Sequence, residues 1–384
     1  MYLRGCGELG FCRVCGKRDK LVSSSLSICY TCLARDTKPP AFVHDMRRAW
    51  RHKLGLGEDA PRDSASKPCP ICVNECRIGV GERGFCGVWV NRSGRLEYIV
   101  ERGVLAETYY DPHPTNCVAA PICPATTRRG FPDYTPTEGL EYGYYNLAVF
   151  MGGCSLDCLF CQNWSHRVLA SRASRVKDYE SLVLEALDPR VTCVCYFGGD
   201  PVPHLPLLIR VSKEILDKSR DRGQRYKRIC WETNGLMNPV LAREMSILSL
   251  KSGGIVKIDW KAWTPSVYEA LTGVDGERAL TRLKENAKLI ASIGRERPEP
   301  PLLVVSVLLV PGYVTPEEVS RIAEYIASLD DRIPMVLLAF HPDYIMTDLP
   351  PTSSRHVEEA VREARRVGIK EIYVGNEWLL GDYY

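Results

Sequence analysis

Beyond about residue 144 the chain alternates short, nearly continuous apolar runs with longer segments in which apolar positions recur every three or four residues. The runs at 146–151, 193–197, 229–233, 255–260, 302–310, 335–340 and 370–374 read as strands. The segments between them, 179–187, 205–222, 239–250, 279–293, 316–329 and 353–367, read as amphipathic helices. Strands that are apolar on both faces belong to a parallel sheet covered on its outside by helices, so an α/β barrel, full or partial, follows.

Before residue 144 that rhythm is missing, and cysteine takes its place. Of 17 cysteines, 14 lie in residues 1–161 and only Cys193, Cys195 and Cys230 lie beyond. In a reducing cytoplasm such a count argues for metal ligation over disulfides. Cys12, Cys15, Cys29 and Cys32 form a C-x2-C-x13-C-x2-C pattern, two tight knuckles whose four soft thiolates suit a structural Zn²⁺. A module this short builds little core of its own and needs a metal staple. Cys6 is a spare.

Lys38-Pro39-Pro40 opens a connector that holds a short helix over 42–54 and then a polar run to residue 67. Next come Cys69, Cys72, Cys76 and Cys86, with Gly79, Gly81, Gly84 and Gly87 letting the backbone fold tightly round a centre. Zinc and an auxiliary iron–sulfur centre both suit these thiolates. Four ligands leave no open position for a substrate, which favours a closed structural site here. Cys117 and Cys123 lie in the proline-rich DPHPTNCVAAPICP, either as ligands to a neighbouring site or as ordinary buried thiols. Cys193, Cys195 and Cys230 fall within strands and read as small buried residues.

Composition and charge narrow the class. Apolar residues make up 45% and charged residues 25%, as in ordinary globular proteins and unlike collagenous, disordered or coiled-coil chains. At ~150 residues per domain the 384 residues divide into two or three domains. The apolar stretch 302–310 is broken by Ser306 and falls far short of the ~20 residues that cross a bilayer, so no membrane span is expected. MYLRGCGELG lacks the pattern of a secretory signal, and the default compartment is the cytoplasm. Residues 1–53 hold eleven Lys/Arg against four Asp/Glu, while the remainder is net −4. A basic front of this kind touches nucleic acid or an acidic partner, or is simply the solvated surface of a metal module.

The chemistry gathers after the first barrel strand. Cys154, Cys158 and Cys161, spaced C-x3-C-x2-C, lie on a loop at the carboxyl end of a parallel strand, where barrels place their active sites. Three thiolates suit a cubane iron–sulfur cluster with one iron left open for a small molecule, or a zinc site that borrows Cys117 or Cys123. Later strands end in Gly198-Gly199-Asp200-Pro201, in Glu232-Thr233-Asn234-Gly235, in Asp259-Trp260-Lys261 and in Pro311-Gly312-Tyr313. Such pairs are also plain turn chemistry. Four of them in succession, following the triplet, mark the rim of one mouth. His341, Tyr344 and Asn376 are further candidates for that rim.

The triplet, the Gly-Gly-Asp-Pro element and the strand order resemble the radical S-adenosylmethionine (SAM) superfamily. More narrowly, CGVWVNRSG, CSLDCLFCQNW, FHPDYIMTDLPPT and IYVGN are similar to the radical SAM member of the AmmeMemoRadiSam gene system, a relative of the pyruvate formate-lyase activating enzymes. The resemblance runs from about residue 68 to 376; the front ribbon lies outside it, and the loop with Cys117 and Cys123 departs from the bacterial form. It implies a partial (β/α)6-type TIM barrel, the radical SAM core, carrying small cysteine-rich N-terminal metal-binding modules. It also implies that Cys154, Cys158 and Cys161 bind a [4Fe–4S] cluster whose fourth iron is chelated by SAM. One-electron cleavage of the sulfonium then yields a 5′-deoxyadenosyl radical that abstracts hydrogen from the substrate. By the same resemblance, backbone at Gly198, Gly199 and Asp200 holds the methionine amino group, and Glu232, Asn234, Asp259 and Lys261 line the polar end of SAM. A zwitterion beside a sulfonium needs both acceptors and a cation, and these strand ends supply both.

The expected organisation is a zinc-ribbon-like module at 1–36, a linker at 37–67, a cysteine-rich accessory region at 68–143, the barrel at 144–376 and a tail at 377–384. The implied partners are a one-electron donor such as a ferredoxin or flavodoxin, and a protein or other bulky substrate docked on the metal-stapled front. A competing reading is an iron–sulfur electron carrier with a nucleic-acid-binding zinc ribbon, which leaves Gly198–Pro201, Glu232 and Lys261 without a purpose. A purely structural zinc protein explains still less.

Overall fold

Helix caps and strand alternation account for most of the architecture. The structure, a computed structural model, describes residues 9–115 and 117–384; Cys6 lies outside the described residues. The front opens with an antiparallel pair, β1 (Gly10–Phe11) and β2 (Arg18–Asp19), whose connecting turn carries Cys12 and Cys15. Cys29 precedes helix α1 (Tyr30–Leu33), which carries Cys32. The connector holds α2 (Asp45–Lys53), and a hairpin of β3 (Trp89–Arg92) and β4 (Arg95–Tyr98) follows Cys86.

The main sheet begins with β5 (Val104–Pro112), β6 (Tyr145–Met151) and β7 (Val176–Lys177), with α3 (His166–Arg172) before β7 and α4 (Tyr179–Ala186) after it. A regular alternation follows: β8 (Val191–Gly198), α5 (Leu205–Asp221), β9 (Arg228–Thr233), α6 (Pro239–Ser252) and β10 (Val256–Asp259). It continues through α7 (Pro265–Thr272), α8 (Gly276–Gly294), β11 (Leu303–Leu309), α9 (Pro316–Leu329), β12 (Met335–Ala339), α10 (Ser354–Arg366) and β13 (Ile372–Gly375). Side chains of Asp178, Asn238, Asp275, Thr315 and Ser353 accept from first-turn N–H groups and set the starts of α4, α6, α8, α9 and α10.

The nine-stranded sheet has the order β13-β12-β11-β10-β9-β8-β6-β5-β7. From β6 onward every neighbouring pair in the row to β13 is parallel, while β5 runs antiparallel to β6 and β7 antiparallel to β5. Among the described residues no pairing joins β13 back to β5 or β7, so the α/β barrel is partial and open. β5, α3 and α7 are additions to the elements expected from the pattern. On the outer face Tyr196 stacks on Trp231 with ring centroids 4.6 Å apart, and its hydroxyl meets Ser212 of α5 at 3.0 Å.

The inner face is filled from below by the segment that precedes β6. Ala119, Ile122, Cys123 and Ala125 pack against Ile255, Val304 and Val336. Arg228 of β9 donates two hydrogen bonds of 2.7 Å to the fully buried Glu141 and locks this plug in place. The carboxyl ends of the parallel strands are left free and form a single rim. No helix of the described residues is long and apolar enough to cross a membrane.

Candidate active site

The loop after β6 is built by close backbone approach. Gly199 N–H donates to Met151 O at 3.0 Å, and Asp200 N–H donates to Gly153 O at 3.1 Å. A Cβ on Gly199 would lie 2.2 Å from Gly153 O, so only glycine allows the β6 and β8 loops to touch. The Asp200 carboxylate is spent inside the protein: it accepts from Val202 N–H at 2.8 Å, Asn234 N–H at 2.7 Å and the Thr233 hydroxyl at 3.1 Å. Burial pushes its carboxyl up to about 7 against those three donors. Asp200 thereby ties the β8 loop to the β9 loop.

The triplet loop is clamped from several sides. Asp157 N–H and Leu159 N–H donate to Thr272 O and Leu271 O at the end of α7, at 2.8 and 3.1 Å. Asn234 Nδ2 donates to Ser155 Oγ at 2.8 Å and lies 3.8 Å from Cys154 Sγ. Beneath the loop, Asp157 meets Arg51 of α2 at 3.0 Å and Arg167 of α3. Burial pushes the Cys158 thiol up to about 12 and raises Cys154 well above the usual thiol range.

Opposite the triplet stands a charged wall. Lys257 Nζ lies 2.7 Å from Asp259 Oδ1 and 3.2 Å from Glu232 Oε2, and Lys261 Nζ lies 3.3 Å from Asp259 Oδ2. Burial alone would raise Asp259, but Lys257 and Lys261 outweigh it and hold the carboxyl far below the usual range. Cys154, Cys158, Cys161, Gly198, Gly199, Asp200, Glu232, Asn234, Asp259 and Lys261 all line one open cavity of about 920 Å³, with Lys257 among them. Lys257 was not singled out from the sequence. Its signal was a lysine two positions before Asp259, on the same strand face, within an apolar run.

The other candidates fall elsewhere. His341 follows β12 and is not among the residues lining this cavity. Tyr344 stacks on Trp164 at the edge of the mouth with centroids 6.3 Å apart. Asn376 lies past β13 and donates to Ala339 O at 3.3 Å. Cys12, Cys15, Cys29 and Cys32 bring their sulfurs within 4.8 Å of one another, the compact arrangement a tetrahedral ion needs. Cys69, Cys72 and Cys76 are buried, with Cys86 half-buried beside them, on the loop after β9, where Val73 N–H donates to Leu236 O at 3.0 Å. No three of their sulfurs meet within that distance.

The ribbon docks on the rim of the mouth. The Tyr313 hydroxyl, in the loop after β11, donates to Ile28 O at 2.9 Å and accepts from Ser23 N–H at 3.0 Å. The Ser23 hydroxyl donates to Asp348, in the loop after β12, at 2.7 Å.

Fold and site together define the class, and the sequence comparison agrees: residues 148–288 match the family model described as the Radical SAM superfamily. This part of the chain is thus similar to the radical SAM domain, a fold of enzymes that work with a [4Fe–4S] cluster, SAM and an electron donor. An uncharacterized protein of Methanocaldococcus jannaschii is 24% identical over 315 residues, spanning 80% of each chain. A protein of Thermococcus kodakarensis described as a probable GTP 3′,8-cyclase is 26% identical over 144 residues, 36% of this chain and 42% of that one. Among solved structures, a domain of a pyruvate-formate lyase-activating enzyme from Bacteroides vulgatus is 19% identical with a TM-score of 0.35, covering 48% of this chain and 98% of that domain.

Proposed function

We propose that this chain is a radical SAM enzyme of the activating-enzyme kind, which abstracts hydrogen from a protein or other bulky substrate. The observation that carries this reading is the convergence of three thiolates and a cation–carboxylate wall on one cavity at the carboxyl ends of the strands. Cys154, Cys158 and Cys161 fit a [4Fe–4S] cluster, since three thiols lining one space leave the fourth position open. When bound, the cluster and SAM supply the one-electron cleavage that makes the hydrogen-abstracting 5′-deoxyadenosyl radical.

The chain's own residues orient and shield. Backbone at Gly198, Gly199 and Asp200 receives the methionine amino group, and Lys257 and Lys261 face its carboxylate beside Glu232, Asn234 and Asp259. The plug formed by the segment before β6 keeps water out from below. The ribbon's seat on the rim, at Tyr313 and Asp348, supports a macromolecular substrate that meets the mouth and the ribbon together. A ferredoxin or flavodoxin serves as the one-electron donor, Cys12, Cys15, Cys29 and Cys32 hold zinc, and Cys69, Cys72, Cys76 and Cys86 hold zinc or an auxiliary cluster.

The test is anaerobic reconstitution followed by SAM and a strong one-electron reductant. The intact protein is expected to form 5′-deoxyadenosine, and Cys158→Ala to form none while retaining ribbon zinc. Cleavage that survives in Cys158→Ala would sink the assignment.

A further inference from the structure

Behind the SAM-site wall lies a second cavity, of about 480 Å³, lined by Cys117, Cys123, Cys193, Cys195 and Cys230. Two segments far apart in sequence converge on it. Cys193 and Cys195 share the inner face of β8, and Cys230 of β9 pairs in register with Cys195. Cys117 and Cys123 descend from the plug. Cys193 Sγ lies 3.6 Å from Cys230 Sγ, and all five cysteines are free.

Ordinary small core residues would leave a dry, apolar lining. This cavity instead keeps two buried polar atoms without a partner, His113 Nδ1 and Asn146 Oδ1, although both residues are more than nine-tenths buried. Charges of both signs border it: the Cys117 thiol donates to Glu232 Oε1 at 3.5 Å, and burial raises the Cys117, Cys123 and Cys195 thiols. Arg228 faces Cys123, Cys193 and Cys230, Arg297 faces Cys230, and Lys257 faces Cys195. Cys193 and Cys230 bring their sulfurs to 3.6 Å, but no three of the five lie within 4.8 Å of one another as the ribbon's four do. One close pair, with further thiols round the same cavity, suits a polynuclear centre in which different metals take different thiolates better than a single ion that needs all its ligands at one point.

We propose that the barrel interior binds a second iron–sulfur cluster, held by Cys193, Cys195 and Cys230 of the sheet and by a thiolate of the 117–123 loop. Glu232 and Lys257 border both cavities, so this cluster sits directly behind the SAM wall. Nothing in the proposal depends on SAM cleavage.

The experiment compares three full-length proteins reconstituted without oxygen: the intact chain, Cys193→Val/Cys195→Val/Cys230→Val, and Cys117→Ser/Cys123→Ser. Iron, sulfide and zinc per chain are measured, with electron paramagnetic resonance of the reduced proteins before and after SAM. The strand variant is expected to lose about two to four irons with matching sulfide, according to cluster type. It should lose a signal that ignores SAM and keep the one that SAM perturbs. Unchanged iron and spectra in both variants would overturn the proposal, as would loss of zinc in place of iron. Should thermal melting show that the strand variant does not fold, the loop variant decides by the same readings. A missing SAM-responsive signal in the intact chain counts against the SAM-cleaving reading alone.

Discussion

Arg51 Nη1 lies 3.0 Å from Asp157 Oδ2, and both side chains are buried. The bond joins α2 of the connector to the CSLDC loop, so the front of the chain helps to shape the loop that carries the cysteine triplet. Arg167 meets the other carboxylate oxygen, and Arg47 Nε donates to Asp157 O at 2.9 Å. Burial would raise the Asp157 carboxyl, yet Arg167, Arg51 and Arg47 outweigh it and hold it below the usual range. Asp157→Asn strands three buried guanidinium groups without their anion. Removing one partner of a buried pair costs about 3–5 kcal/mol, so the variant is expected to melt several degrees lower and to take up less iron at the triplet. Equal melting and iron content in variant and parent would refute this.

Lys257 bridges Asp259 and Glu232 in the charged wall opposite the cysteine triplet. Lys257→Met removes the buried cation and leaves the carboxylates facing an incoming methionine carboxylate. Charge-assisted hydrogen bonds contribute about 1.5–3 kcal/mol, so SAM affinity is expected to fall about ten- to a hundredfold. Anaerobic equilibrium dialysis with SAM measures it directly. Affinity within twofold of the parent would place SAM elsewhere.

Gly199→Ala tests the backbone contact itself. The added methyl would meet Gly153 O, a backbone atom that cannot swing aside, and the two loops must part. Iron bound at the triplet is expected to fall, with the ribbon's zinc unchanged. A variant that binds iron and SAM like the parent would show that the loops part without harm.

The alternation of β8 to β13 with their helices was legible because each strand is apolar on both faces and each helix is capped or broken by its own residues. The triplet and the strand-end residues were legible for a similar reason, since loops at the carboxyl ends of parallel strands converge whatever the details. Tertiary context hid the rest. β5 earns no strand pattern from its own sequence, VLAETYYDP, because it lies near the sheet edge with only its first residues buried. Lys257 was masked by the apolar residues beside it. Cys193, Cys195 and Cys230 look like core cysteines one at a time, and only the register of β8 and β9 shows that they face one space.

The ribbon's position predicts an effect of metal removal at a distance. Ser23, Ser24 and Ile28 lie between the two cysteine knuckles and carry the bonds to Asp348 and Tyr313. Removing a metal held by Cys12, Cys15, Cys29 and Cys32 takes away the tie between the two knuckles and loosens the segment between them, even though Val22, Leu26, Ile28 and Leu33 pack into the main core. Hydrogen exchange in the loops after β11 and β12 is expected to rise on chelation, or in Cys29→Ser, while β8 and β9 stay protected. Unchanged exchange in those loops would show that the rim does not depend on the ribbon.

Acid should destabilise the protein in a window that its histidines set. Burial holds His204 down to about 3, and burial with Arg228 nearby holds His113 down to about 4. Both are neutral in the fold, and the His204 ring meets the Tyr98 hydroxyl at 2.8 Å. Unfolded histidine takes up its proton near 6.5, so between 6.5 and about 4 the unfolded chain binds protons that the folded chain refuses. The stabilisation is complete above 6.5 and is lost as pH falls, by up to about 1.4 kcal/mol per pH unit for each histidine. Most carboxylates contribute below about 4.5. Asp200, pushed up to about 7, takes up its proton in the fold across pH 5–6.5 and offsets about one histidine's share, while His166 and His356, also held low by burial, act in the same direction as His204 and His113. Urea midpoints at pH 7.5, 6 and 5 are expected to fall in that order, and His204→Gln to flatten the slope by about one histidine's share. A midpoint that holds steady from pH 7.5 to 5 would mean that these rings are charged, or exposed, in the folded protein.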